Sequence, residues 1–184
     1  MKNDYFIQEK FCPIEEAEYI CKRLDEDLKL CDLKDSPAGQ GTIKTATTDL
    51  VLWGHAREYL GRLDETIRHA NNSHFGYEIY RTTAFECVNY NKYSADNTGE
   101  YGWHSDGNRE EIYDLKLTAI VNLSTEPYEG GKLELFLGGA KHITEFDTPG
   151  SFILFPSFVQ HRVTPVTKGT RKTLSMWIKG PNFR

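Results

Sequence analysis

Between Pro13 and Leu28 the apolar side chains return every three or four residues, at Ile14, Ala17, Cys21, Leu24 and Leu28. That period puts them on one face of a helix, and Pro13 suits its start, where a fixed φ and a missing N–H cost nothing. A second stripe, Leu52, Ala56, Tyr59, Leu63 and Ile67, predicts a helix from about Asp49 to about Ala70. Residues 32–48, with Pro37, Gly39 and Gly41, hold no sustained period. They read as a loop with a short strand near Ile43, either a candidate lid or a plain connector.

Beyond Gly76 the pattern becomes strand-like, in short runs between turn residues. Strands are expected at Tyr77–Ile79, Ala84–Lys92, Gly102–Ser105, Leu115–Leu123, Lys132–Leu137, Ser151–Phe155, His161–Val163 and Arg171–Ile178. Turns are expected at 96–99, 129–131, 138–139, 149–150 and 168–169, where glycine recurs. Many short antiparallel strands at even spacing make a sandwich or jelly roll. The expected fold is therefore mainly β with helical support (α+β). Residues 1–76 form a helical support packed on one sheet, and residues 77–184 the core of a single domain.

Composition narrows this little. The 184 residues are 39% hydrophobic and 27% charged, ordinary for a globular chain. A net charge of −5 gives no general attraction to nucleic acid or anionic membrane, so neither is an expected partner. No apolar run reaches the length of a membrane span, and residues 1–12 lack the apolar core of a secretory leader. The expected location is cytoplasmic. Cys12, Cys21, Cys31 and Cys87 form no Cys-x-x-Cys pair and are expected to be buried free thiols.

The first chemically suggestive run is Tyr101-Gly-Trp-His-Ser-Asp106. Side chains two apart on a strand share a face, so His104 and Asp106 can approach one ion together. A further imidazole would complete the two-histidine, one-carboxylate set of non-haem iron oxygenases. His142 and His161 are the downstream candidates. His161 follows the apolar run Phe152–Phe155, where a core strand would deliver it; His142 sits in a glycine-flanked hairpin. Arg171 follows His161 across the turn Lys168-Gly169-Thr170 and is expected on the next antiparallel strand. There it could grip a dicarboxylate. Arg171, Thr173, Ser175 and Trp177 share one strand face, and Leu174, Met176 and Ile178 the other.

From about Glu86 to Trp177 the chain resembles the prolyl 4-hydroxylase-like branch of the iron(II)- and 2-oxoglutarate-dependent dioxygenases. The resemblance rests on the run ending at Asp106, on Tyr128-Glu-Gly-Gly-Lys-Leu133, on Pro149-Gly-Ser-Phe-Ile-Leu-Phe-Pro156, and on His161 through Arg171 with Trp177. It implies a double-stranded β-helix core with iron held by His104, Asp106 and His161. It implies 2-oxoglutarate on Arg171, with Tyr93, Asn122 and Ser175 as further cosubstrate contacts. Asn122 stands where close relatives can carry tyrosine. Trp103 and Trp177 are candidates to wall the substrate pocket. The implied reaction consumes dioxygen, releases succinate and carbon dioxide, and hydroxylates a prolyl residue in a peptide or protein, with ascorbate in support. The alternatives are another side chain, a free amino acid or other small molecule, or a jelly-roll sensor without turnover.

Overall fold

The computed structural model describes residues 4–28, 42–106 and 113–183. The elements in chain order are β1 (Phe6–Gln8), α1 (Ile14–Asp27), β2 (Thr47–Leu52), α2 (Trp53–Ala70), β3 (Cys87–Ser94), β4 (Tyr101–His104), β5 (Asp114–Asn122), β6 (Glu129–Gly130), β7 (Leu133–Phe136), β8 (Ala140–His142), β9 (Phe152–Pro156), β10 (His161–Val163), β11 (Val166–Lys168) and β12 (Thr170–Gly180). A six-stranded sheet runs β1-β9-β5-β12-β3-β2, and a four-stranded sheet β4-β10-β7-β8. A small β11-β6 pair completes the described strands. Every pairing is antiparallel.

Alternation along the strands sorts the side chains into two layers. Leu174, Met176 and Ile178 of β12, with Leu117, Ala119 and Val121 of β5, face the helices. Ala17, Ile20 and Leu24 of α1 and Ala56, Leu60, Leu63 and Ile67 of α2 complete that core. The opposite faces of β5 and β9 supply Ile120, Ile153 and Phe155, which pack with Leu133 and Leu135 of the smaller sheet. The helices thus lie on one face of the large sheet, and the space between the sheets is left for a site. No described helix is long and apolar enough to cross a membrane.

The structure departs from the sequence reading in several places. The second helix begins at Trp53, because Thr47–Leu52 is a strand paired residue by residue with β3, from Thr47↔Lys92 to Leu52↔Cys87. Thr47, Thr48 and Val51 favour the pleat, and the free edge of β3 offers a ladder that outweighs one more helical turn. Tyr77–Ile79 is not a strand. Tyr77 and Ile79 instead pack against the helix-side core. The short strands β1, β6, β8 and β11 carried too few residues for a visible period. The part of the candidate lid at 32–41 lies outside the described residues, as does Cys31. The rest is pinned down: Gly102 N–H donates to Ile43 O at 2.8 Å, and Thr45 N–H to Glu100 O at 3.0 Å. Cys12 and Cys21 are buried free thiols and Cys87 is half-buried. Burial pushes the Cys12 thiol up to about 11.

Candidate active site

His104 ends β4 and His161 opens β10, and the two strands pair so that these residues face each other directly. Their register places two imidazoles at one mouth of the space between the sheets. Asp106 lies just past β4, held there because its N–H donates to Ser157 O at 2.9 Å. One ligand-capable atom from each of His104, Asp106 and His161 falls within 4.8 Å of the other two. His142 stands elsewhere, on β8, with Nε2 2.9 Å from Asp147 Oδ2.

The ring tautomers follow from the backbone. His104 Nδ1 lies 2.7 Å from Gly102 O, and His161 Nδ1 3.0 Å from Val159 O. A carbonyl oxygen only accepts, so each Nδ1 carries a hydrogen, and each Nε2 is the ring atom turned toward Asp106 and available to a metal in the neutral ring. His104 Nε2 lies 3.6 Å from Oδ1 and His161 Nε2 3.6 Å from Oδ2. Burial, then the neighbouring His161, lowers the His104 pKa from 6.5 to about 4, so its ring is neutral near pH 7. The neutral His104 ring and the Asp106 carboxylate bring two electron-rich atoms together, an arrangement that a cation relieves. The donor set, borderline imidazoles and a hard carboxylate with room on the other side, suits iron(II). Tyr101 stacks on the His104 ring at 3.5 Å between centroids, and Phe155 meets His161 edge-on at 4.9 Å.

Thr118 on β5 fixes the carboxylate. Its hydroxyl donates to Asp106 Oδ2 at 2.6 Å and lies 3.0 Å from Ser157 Oγ. The single Thr118 proton is committed to Asp106, so Ser157 is the donor in the second bond. Oδ2 is thereby engaged and Oδ1 is left for a metal.

The cavity behind this cluster holds about 210 Å³. Its far end is formed by Arg171, only 2% exposed and the largest fully buried side chain described. The guanidinium lies over the Tyr93 ring at 5.1 Å and near Phe146 at 5.8 Å, and it has no carboxylate partner among the described residues. A buried, unneutralised cation is costly, so the arrangement calls for an anionic ligand. Arg171 pairs with Tyr93 across β12 and β3. It does not sit on a strand paired with β10, as the turn suggested: β11 intervenes, and Arg171 reaches the cavity from the other sheet.

Tyr93, Ser175 and Trp177 line the cavity. Asn122 and Trp103 are not among its lining residues. Asn122 is fully buried; its amide donates to the carbonyls of Phe146, Asp147 and Thr148 and accepts from Ser124 N–H. Trp103 lies on the outer face of the small sheet, edge-on to Phe136 at 5.9 Å and beneath Arg162. The sequence reading passed over Asn89, Asn91 and Thr118, which also line the cavity, and Thr173 lines it on the strand face it was expected to share with Arg171. A signal was available: Asn89 and Asn91 share the strand face of Tyr93, and asparagine is uncommon inside strands. It also took the Gly130-Gly131 turn for a connector, although Gly131 packs against Arg171. A Cβ there would lie 2.9 Å from Arg171 Cδ.

Comparison with known proteins gives the same grouping. A PKHD-type hydroxylase of Alteromonas mediterranea is 37% identical over 97 residues, 49% of this chain and 42% of the relative. One from Synechococcus sp. is 39% identical over 90 residues, 47% of this chain and 40% of the relative. The chain therefore spans about two fifths of the length of these relatives. Among solved structures, a Pseudomonas putida prolyl-4-hydroxylase superposes with a TM-score of 0.72 at 19% identity, over 97% of this chain and 94% of that one. A Trichoplax adhaerens prolyl hydroxylase, in complex with a hypoxia inducible factor oxygen degradation domain peptide fragment, gives 0.73 at 18% identity, over 96% and 83%. These likenesses establish the jelly-roll fold. The family model of the 2OG-Fe(II) oxygenase superfamily matches residues 88–179, half of the chain, from within β3 to within β12, and the chain belongs to that superfamily.

Proposed function

We propose that the chain is an iron(II)- and 2-oxoglutarate-dependent dioxygenase that hydroxylates a prolyl residue in a peptide or protein. His104, Asp106 and His161 hold the iron, and Arg171 holds the far carboxylate of 2-oxoglutarate. The observation that carries this reading is the Arg171 guanidinium, buried with no carboxylate partner among the described residues and lining the same cavity as the three ligands. Iron(II), 2-oxoglutarate and dioxygen supply the oxidising chemistry, with succinate and carbon dioxide released.

The chain's own residues bind and orient. Arg171 neutralises and aims the dicarboxylate, with the Tyr93 ring against its guanidinium. Thr118 and Ser157 hold the Asp106 carboxylate in one pose. Ile120, Leu133 and Val163 give the cavity apolar walls that limit water near the oxidant. The prolyl substrate is supported by the names of the structural neighbours, one of them with a peptide bound. No second reading has a specific observation in its favour.

The test is anaerobic loading with iron(II) and 2-oxoglutarate, then admission of dioxygen with capped proline-containing peptides and ascorbate. Succinate release together with a gain of one oxygen atom on the peptide is expected. Tight cosubstrate binding without succinate from any peptide would leave a sensor instead. His161→Ala should abolish turnover and most iron binding, while His142→Ala should keep both. The reverse pattern would move the third ligand to His142.

A further inference from the structure

Three strands present one polar wall to the cavity. In register across β12 and β3, the rows are Arg171 with Tyr93, Thr173 with Asn91, and Ser175 with Asn89. Trp177 lies one step further along β12, opposite Thr118 of β5, and Thr118 is the residue bonded to Asp106. Asn89 therefore sits one row from the metal-ligand end. It is roughly 13 Å along the strand from the Tyr93 row, at about 3.3 Å per residue.

The two asparagines differ in one respect. Asn91 is satisfied: its amide donates to Ser175 Oγ at 3.0 Å and to Asn89 O at 3.3 Å, and its Oδ1 accepts from the Thr48 hydroxyl at 2.9 Å. The Asn89 side chain has no hydrogen-bond partner among the described residues, although it is only 3% exposed and lines the cavity. The Trp177 Nε1, on the same wall, is a buried donor with no partner, whereas the Asn89 amide opens on the cavity. Buried polar groups are rarely left unpaired, and those that are often mark where a ligand binds.

Both groups are neutral, and between them they offer N–H donors and one carbonyl acceptor. Their complement is a neutral amide, which supplies a carbonyl and an N–H together. A carboxylate or ammonium against these two groups would meet no counter-charge from either, which is costly. We propose that Asn89 is a specificity-determining residue that hydrogen-bonds a peptide amide flanking the substrate carbon to be oxidised. This rests on the dioxygenase reading of the cavity, and it selects peptide-linked residues over free amino acids.

The experiment uses the full chain loaded anaerobically with cobalt(II), as a redox-inert stand-in for iron(II), and 2-oxoglutarate. The probes are N-acetylated, C-amidated single amino acids, with proline among several side chains, and the corresponding free amino acids. Binding is read by ligand-observed NMR and cosubstrate affinity by calorimetry. The capped form of whichever side chain binds should bind at least about tenfold more tightly than its free form. Asn89→Leu, close in shape, should weaken the capped probe about tenfold and leave 2-oxoglutarate affinity unchanged; Asn89→Gln should recover part of the loss. If the best capped probe is not proline, the amide inference stands and the prolyl assignment falls. Equal loss of 2-oxoglutarate affinity in Asn89→Leu would make Asn89 a cosubstrate contact and overturn the inference. So would a capped probe indifferent to the substitution, the absence of any capped binder, or preference for the free amino acid.

Discussion

At the scale of single residues, unpaired atoms say more than paired ones. Arg171 is held by ring faces rather than by a carboxylate, so its charge waits for a ligand. Truncating one partner of a desolvated charge pair costs roughly 2–5 kcal/mol, about a 30- to several-thousand-fold loss of affinity. Arg171→Ala should raise the dissociation constant for 2-oxoglutarate by that factor while metal affinity changes little; Arg171→Lys, which keeps charge but not the fork, should fall between. Calorimetric titration checks both, and loss of metal with normal cosubstrate binding would assign Arg171 to support of the metal cluster. Thr118→Val should weaken metal binding roughly 10- to 100-fold by freeing Asp106 Oδ2, with Thr118→Ser restoring most of it. Equal damage from valine and serine would point to shape rather than the hydroxyl. Asn122 gives the opposite contrast. Its amide ties the end of β5 to residues 146–148, so Asn122→Ala should cost about 1–3 kcal/mol in denaturant unfolding and leave cosubstrate affinity alone.

At the scale of elements, the sequence is legible where a period runs long enough. Helix α1 follows from its three-to-four-residue period and the two faces of β12 from alternation, and Trp177 falls on the cavity face as its parity requires. Short strands are not legible, because three residues carry no period. Nor is the β2–α2 boundary, where Asp49, Leu50 and Leu52 fit either element and the edge of β3 decides. The role of the Gly130-Gly131 turn was hidden for a related reason: a glycine's neighbours in space do not appear in its neighbours along the chain. Gly131 has φ +58° and abuts both Val166 and Arg171. Gly131→Ala therefore has two effects, about 1–2 kcal/mol of backbone strain and displacement of the guanidinium. It should weaken 2-oxoglutarate binding as well as stability. Gly138→Ala is the control, with φ +77° but nothing within 4 Å of its added carbon, so it should lower stability only.

For the whole molecule, the helices and the helix-side core make a rigid back to the large sheet, and the cost of the site is concentrated between the sheets. The local motif at His104 and Asp106 was readable because strand geometry converts spacing into direction. His161 was preferred to His142 from the apolar run before it, and the structure groups it with His104 and Asp106; the strand on which Arg171 reaches the cavity needed sheet topology, which sequence spacing does not encode. That topology leaves three lone-pair donors and one guanidinium facing each other across one cavity, an arrangement whose repulsion and desolvation are relieved only by ligands. Folding and ligand binding are then linked: a ligand at 100 times its dissociation constant adds about 2.7 kcal/mol. For a chain of 184 residues each kcal/mol moves the melting temperature about 2–4 °C, so saturating cobalt(II) should raise it by roughly 5–10 °C. Adding 2-oxoglutarate should raise it again, because the cosubstrate neutralises Arg171 and completes the metal's ligands. His161→Ala should lose the metal-dependent rise, and Arg171→Ala should keep it but lose most of the second. His142→Ala should show both. A melting temperature indifferent to cobalt(II), or a second rise undiminished in Arg171→Ala, would mean that the cavity's charges are balanced by something other than a metal and a dicarboxylate.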